Sequence, residues 1–399
     1  MKEKRVCLNE LPIIALIVLV WCRTVLVSYA YQSIVLITES VFLADLIKTI
    51  IYIGCLFLSL PFFLNTIEKK YIFLYGVFCL VYFFNILFDV VAKNYLVSNF
   101  VSILFVSIPT FFLGLVIQEK KYWDVMHICS IICILATLLH FIVFGFQPEI
   151  DGGNENMGQA YRILPHLLII TLYSFNNRKY YDILVCLIGF ILILACGARG
   201  PCISVCFFIV SMILFFVRKK KLLIFLVLFL GIIFFFYSEN IIKEIMQLFE
   251  DMHLSTRIFE HLLSKSLYDA NGRDEIFTTM VTLIKKKPFF GYGIAGDRQS
   301  GVEWIAYSHN IIIELIVSYG VFIGSLCVFI LLFIGINSFV RTDRRGRQMH
   351  SVLFFSGVFT LLFTSSYLVE PLFFLWLGFA VQVRKSFDDN KAKSTSYYR

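Results

Sequence analysis

The chain is 399 residues long, 59% hydrophobic and only 16% charged, where an ordinary soluble domain carries about 25% charge. A mean hydropathy of +0.83, with 44 Phe and 20 Tyr, is more apolar surface than a soluble sphere of this size can hide. A soluble enzyme, a disordered chain and a nucleic-acid binder are excluded; a multi-spanning membrane protein remains, and its net charge of +8 is a matter of topology.

A helix needs about 20 apolar residues to cross a ~30 Å hydrocarbon core. Candidate spans occupy roughly 11–31, 42–64, 71–91, 97–117, 124–146, 161–175, 181–197, 201–217, 222–237, 306–340, 351–369 and 371–384. Several are short or share tight turns, so the count of about twelve holds to within one or two. The runs are continuous rather than alternating in ten-residue segments, which predicts helices and not a β-barrel. At the start, Lys2, Lys4 and Arg5 precede an apolar run from Leu11 with no small-residue cleavage site after it, the pattern of an uncleaved first span.

Cations alternate between the two faces. Lys69–Lys70, Lys120–Lys121, Arg178–Lys179, Arg218–Lys221 and Arg341–Arg347 fall in every second turn, and both ends of the chain are basic. The short turns on the other face carry only Lys93, with Arg162 and Arg199 at span edges. The positive-inside rule then places both termini in the cytoplasm. The eleven Cys lie nearly all inside apolar runs, without C-x-x-C, and read as small packing residues rather than disulfides or zinc ligands.

One stretch breaks the pattern. Residues 238–304 form a polar loop on the outer face, dividing the chain into spans over 1–237, the loop, spans over 305–384 and a tail over 385–399. Loops of this length are commonly functional. Ile241, Ile242, Ile245, Met246, Phe249 and Met252 recur at helical spacing, and a second helix is predicted from Asn271, its N-cap, through Ile276, Met280, Leu283 and Ile284 to Pro288. Such amphipathic helices lie at the membrane interface or cap a bundle. The cytoplasmic turns are too short for a nucleotide-binding domain.

Three polar groups stand where a membrane protein gains nothing from them unless they work. Arg199 sits in the turn Ala198-Arg199-Gly200-Pro201; it is either a snorkelling anchor or part of an anion site near the headgroups. Arg273 begins the loop helix, where a cation opposes the helix dipole unless an anion is near; read alone, it is a solvated loop residue. The run Lys285–Lys287 reads as a solvated face, and Pro288-Phe289-Phe290-Gly291-Tyr292-Gly293 permits close backbone approach. His309, in Ser308-His309-Asn310, opens the next span; a neutral imidazole there can act as general base, or serve as a polar interface residue. Glu314 lies about 140° around a helix from His309 and one turn from Asn310, so it is expected to orient Asn310 or a neighbouring helix. Gly320 and Gly324 form a G-x-x-x-G that allows close helix contact. Arg162, beside Asn156 and Tyr161, is a weaker substrate contact. Arg23, Asp45, Lys48 and Asp89 read as edge or paired charges, and Glu149 and Asp151 as a solvated turn.

The order Arg-Gly turn, then G-R-x-x-I-[aromatic]…P-x-x-G-x-G in a large outer loop, then H-N-x-x-x-E-L…G-x-x-x-G resembles the O-antigen ligase/Wzy-type polymerase family of polytopic membrane glycosyltransferases. The Glu370-Pro371…Trp376-Leu377-Gly378 span fits as well. The resemblance covers roughly 180–380; Phe277 and Pro201 depart from the family's usual residues. It implies an all-α membrane protein of the GT-C kind in a bacterial cytoplasmic membrane, with its active site on the outer face. It also implies transfer of a glycan, with inversion, from polyprenyl pyrophosphate to an acceptor hydroxyl, with no cofactor and no metal. By resemblance Arg199 and Arg273 would hold the pyrophosphate and His309 would take the acceptor proton, with Asn310, Glu314, Arg162 and Tyr292 as substrate contacts. Partners implied are the polyprenyl-pyrophosphate-linked oligosaccharide, membrane lipids and a chain-length regulator. A polymerase, joining lipid-linked repeat units, is preferred over a ligase to lipid A core, although the motifs do not separate them. A lipid-linked oligosaccharide transporter is the alternative of another class; the clustering of polar features on one face speaks against it.

Overall fold

The computed structural model describes residues 2–23, 40, 42–43, 46–47, 49–50, 53–54, 57, 64, 67–88, 92–144, 155–177, 179–217, 243–244, 246–248, 250, 256, 273–300, 302 and 307–396. The described residues are mostly helical, without strands, the state that satisfies backbone groups internally in lipid. Among the described residues, four helices are long and apolar enough to cross a membrane: Lys69–Phe88, Lys120–Val143, Arg199–Phe216 and Ile311–Arg341. The expected span over 222–237, most of 42–64 and of the first loop helix over 241–252, Asn271 and the side groups Asp45, Lys48, Asp89, Glu149 and Asp151 lie outside the described residues. Contacts divide the chain into two units: residues 1–126 with 272–399, and residues 127–271.

The first unit contains α1 (Lys2–Cys22), α2 (Lys69–Phe88), α3 (Lys93–Ser98), a π-helix (Val101–Ser107) and α4 (Thr110–Gly114). It also holds the start of α5 (Lys120–Phe144) and, after the loop, α9 (Arg273–Lys286), α10 (Ile311–Arg341), α11 (Arg344–Gly357) and α12 (Pro371–Ser396). In α2 only Tyr82 is buried, and Phe73, Phe84 and Phe88 stand exposed, as a lipid-facing helix requires. The expected continuous span over 97–117 is broken. Ile108 N–H reaches back five residues to Ile103 O (3.1 Å), a π-turn, and Pro109, with no N–H to donate, caps the next helix. The break lets Thr110 Oγ1 donate to Pro371 O (2.8 Å). Gly114 and Gly378 then face each other: a Cβ on Gly114 would stand 2.8 Å from Phe379 N, and one on Gly378 would collide with Phe111 O. This close α4–α12 contact gives the terminal Trp376-Leu377-Gly378 motif a packing role.

The expected span over 351–369 is also interrupted. Helix α11 ends at Gly357, where a Cβ would come 2.5 Å from the Leu372 backbone. Two 3-10 turns, Phe359–Leu362 and Tyr367–Val369, carry the chain to Pro371 at the first position of α12. Helix α12 continues to Ser396, so the segment expected as a tail over 385–399 is helical through most of its length.

The second unit contains α6 (Glu155–Asn177), α7 (Tyr180–Ala195) and α8 (Arg199–Phe216) with the remainder of α5. Gly189 lets α7 approach Ile134 and Leu167. A buried His127–Asp182 pair (Nε2 to Oδ1, 2.8 Å), with the imidazole stacked on Tyr173 at 4.0 Å, ties α5 to α6 and α7.

Candidate functional site

The site is built around one break in α10. Gly320 has φ 78° and ψ 170°, the left-handed side that only glycine adopts at little cost. The break separates 311–319 from 321–341 and frees backbone groups that must be paired. The stretch after Pro288 pairs them: Val321 N–H donates to Pro288 O (2.7 Å), Tyr292 N–H to Val317 O (3.1 Å) and Gly293 N–H to Ser318 O (2.8 Å). A Cβ on Gly320 would collide with Phe289 O. The expected G-x-x-x-G contact between helices is corrected here. Gly320 makes a kink, and Gly324 packs on the backbone of Leu315 and Ile316 in the same helix, where a Cβ would stand 2.6 Å from Leu315 O.

Helix α9 is held beside this clamp. Its apolar stripe, Ile276, Met280 and Leu283, buries against Val317, Tyr292, Val302 and Ile313, the i, i+4, i+7 spacing of one helix face. Asn85 Oδ1 on α2 accepts from Ile294 N–H (2.9 Å) and fixes the segment from its other side.

The segment then turns into a 3-10 helix, Gly296–Ser300, that carries an ion cluster absent from the sequence reading. Asp297 and Glu314 are 0% and 1% exposed, and both are bridged by the Arg298 guanidinium: Nη1 donates to Asp297 Oδ1 and to Glu314 Oε1 (3.2 Å). The guanidinium lies over Tyr95, 4.2 Å from the ring centre, and 5.7 Å from that of Tyr307. Burial opposes the Arg298 charge, but Asp297 and Glu314 outweigh it and hold the group protonated. The remaining lone pairs are taken up: Ser308 N–H donates to Asp297 Oδ2 (2.9 Å), Ser366 Oγ to Glu314 Oε1 and Tyr367 N–H to Glu314 Oε2 (3.3 Å). Buried charges persist when paired and hydrogen-bonded in this way. Asp297, Arg298, Ser366 and Tyr367 escaped the sequence reading because an Asp-Arg neighbour pair in an outer loop reads as solvated. The only signal was its place directly after the glycine-rich stretch.

The cluster positions His309. Ser308, held by Asp297, precedes it, and Asn310 follows as the N-cap of α10, with Oδ1 accepting from Ile312 N–H (3.0 Å) and Ile313 N–H (3.3 Å). Between these anchors His309 takes φ 53°, a left-handed conformation uncommon outside glycine and frequent at functional sites. Its ring lies 3.9 Å from that of Tyr307. The α10 helix starts at Ile311, so His309 stands ahead of the span rather than inside it. Two consecutive carbonyls of the interrupted segment complete the arrangement: Arg273 Nη2 donates to Phe363 O (3.1 Å) and Asn310 Nδ2 to Leu362 O (3.4 Å). Burial, then the positive fields of Arg273 and Arg298, push the imidazole down to about 4. It is therefore neutral near pH 7, with both guanidiniums within electrostatic reach.

The structure thus brings together Arg273, His309, Asn310 and Glu314. Asn310 is occupied by capping and Glu314 by Arg298, Ser366 and Tyr367. The Tyr292 ring packs with the α9 core and lies under Lys287 Nζ at 4.4 Å. In the second unit, half-buried Arg199 opens α8, and its neighbour Gly200 sits against the Tyr161 hydroxyl, where a Cβ would collide. The glycine of the Arg-Gly turn is required by this α6–α8 approach; half-buried Arg162 follows Tyr161 on α6.

Residues 184–329 match the family model described as O-antigen ligase. The matched stretch takes in Arg199, Arg273, Tyr292, His309, Asn310 and Glu314, so it supports the O-antigen ligase/Wzy-type family to which the motifs point. The match supports glycan transfer of the ligase or polymerase kind by a membrane protein. No curated protein and no solved structure matches the chain.

Proposed function

We propose that this chain, with its O-antigen ligase-type domain over 184–329, transfers a glycan from polyprenyl pyrophosphate to the sugar hydroxyl of a second lipid-linked repeat unit. The observation that carries the reading is the joint anchoring of Arg273 and of Asn310, next to His309, on the carbonyls of Phe363 and Leu362. A neutral imidazole and a guanidinium held on adjacent backbone groups are suited to a reaction that deprotonates a nucleophile while a phosphate leaves.

In this proposal His309 takes the acceptor proton. The acceptor oxygen attacks the anomeric carbon with inversion, and the bond to pyrophosphate breaks. Arg273 meets the charge that develops on the leaving group, with the planar fork that suits phosphate oxygens. The same guanidinium that holds the free imidazole's basicity down is offset once an anion lies beside it, so donor binding strengthens the base. Arg199 is retained as a second phosphate-binding group on the strength of its motif alone, with Arg162 and Tyr292 as further substrate contacts. Glu314 and Asn310 position His309. The outer face of a bacterial cytoplasmic membrane, the polyprenyl carrier and a chain-length regulator as partner belong to the same proposal.

The family description favours a second acceptor, a lipid A core sugar. Purified protein incubated with the lipid-linked repeat alone decides: a ladder of products supports the polymerase, and product only after addition of lipid A core supports the ligase. His309→Ala and Arg273→Ala should each abolish product. A folded His309→Ala protein that still makes product would remove the general base from the proposal.

A further inference from the structure

The first unit holds a second polar feature that glycan transfer does not use. A cavity of about 690 Å³ opens where α10 ends and α11 begins, lined by Lys120, Arg341 and Arg345 and floored by Trp123, Phe379 and Val383. Asp343 also lines it, but its carboxylate accepts Gly346 N–H (2.8 Å) as the α11 N-cap. Among the described residues, three cations and one carboxylate line this cavity. The first turn of α11 contains Arg344, Arg345 and Arg347, cations gathered at the end of a helix dipole where an anion is favoured. From the Gly320 break the remainder of α10 rises about 30 Å to this point, the thickness of a hydrocarbon core. The cavity thus lies one membrane thickness along α10 from His309, among the cations that the positive-inside reading assigns to the cytoplasmic side.

We propose that this cavity binds the headgroup of an anionic phospholipid. The phosphate sits among Lys120, Arg341 and Arg345, and the upper acyl chains cover Trp123, Phe379 and Val383. The apolar floor separates a lipid from free phosphate: an inorganic anion satisfies the cations but leaves an indole and a phenyl ring facing an open cavity. Anionic headgroups gather on cytoplasmic leaflets and are drawn to clustered Lys and Arg. The proposal concerns a site separate from the transfer centre and does not rest on that assignment.

The test uses the full-length protein exchanged from detergent into phosphatidylcholine nanodiscs and titrated with phosphatidylglycerol, with retained lipid counted by native mass spectrometry. Phosphatidylglycerol should be retained over phosphatidylcholine, and inorganic phosphate at equal concentration should not displace it. Arg345→Gln should weaken retention about fivefold and Arg341→Gln with Arg345→Gln about 25-fold, at the usual worth of a cation near an anionic surface. Arg344→Gln removes the same charge from the same turn without lining the cavity and should change retention less than about twofold. Val340→Trp narrows the mouth, keeps every charge that sets topology, and should also weaken retention; it carries the test if the arginine variants insert wrongly. Displacement by inorganic phosphate, equal retention of phosphatidylcholine, a loss with Arg344→Gln matching that with Arg345→Gln, or full retention by Val340→Trp would each overturn the lipid assignment.

Discussion

Arg298 is the residue on which the proposed transfer site's geometry depends most, and Arg298→Met measures that dependence. The substitution removes the one guanidinium shared by two buried carboxylates, Asp297 and Glu314, while keeping an unbranched chain to pack against Tyr95. Breaking a buried pair by deleting one partner costs about 3–5 kcal/mol. Here Glu314 keeps Ser366 Oγ and Tyr367 N–H, and Asp297 keeps Ser308 N–H, so the lower end, about 3 kcal/mol, is expected. That is a shift of roughly two decades in a folding equilibrium. Arg298→Lys keeps the charge but not the planar fork that reaches both carboxylates and stacks on Tyr95, and should cost about 1–2 kcal/mol. Arg298→Met combined with Glu314→Gln removes the charge left behind and should recover part of the loss. Thermal unfolding in detergent gives the order parent, Lys, Met with Gln, Met. Because Asp297 also holds Ser308, transfer activity should fall in Arg298→Met even at temperatures where the protein stays folded. If Arg298→Met unfolds at the parent's temperature and transfers glycan at the parent's rate, the cluster does not hold the site.

Four further outcomes follow from the structure. Since His309 is lowered to about 4, the acid limb of kcat/KM should fall near pH 4 instead of near the ordinary value of 6.5, and Arg273→Gln, by removing a positive neighbour, should move that limb upward where residual activity can be measured. For the same group, the unfolded chain binds a proton between pH 6.5 and 4 that the folded protein does not, so stability should decline as pH falls through that window. Gly320→Ala places a Cβ on Phe289 O at a positive φ and should cost about 2–4 kcal/mol in strain and lost backbone bonds, whereas Gly76→Ala, with open space around it on α2, should be neutral or stabilising by up to about 1 kcal/mol; equal unfolding temperatures would contradict the clamp. Gly200→Ala should destabilise the second unit through the Tyr161 hydroxyl, and Tyr161→Phe, by removing that oxygen, should lessen the penalty in the double variant.

The helical membrane architecture was legible because hydropathy acts over 20-residue windows and lipid allows little else. The interruptions were not. Pro109 and Gly357 sit in runs as apolar as their neighbours, and what each break serves is a partner distant in sequence: Pro371 for Thr110, Leu372 for Gly357. The loop helix was read to within two residues from its Ile276, Met280, Leu283 stripe, since amphipathic periodicity is local. The candidate site was legible where a residue type is unusual for its setting, as with Arg273 against a helix dipole or His309 at the start of a span. Its scaffold was hidden, because Asp297 and Arg298 look solvated until Glu314 and Ser366 arrive from elsewhere in the chain.

That division has a physical origin that bears on how the proposed transfer site works. Arg273 and Asn310 depend on carbonyls at 362 and 363 that are free only because the span over 351–369 is not a continuous helix. Val317 and Ser318 can accept bonds from the loop only because α10 breaks at Gly320. In lipid, a helix consumes its own polar backbone, so a membrane protein that needs carbonyls and amides to position polar side chains must interrupt helices where they meet protein rather than lipid. Both breaks lie in the first unit, and both serve the elements that hold His309. A continuous helix in either place would satisfy the bilayer and leave the imidazole without its anchors.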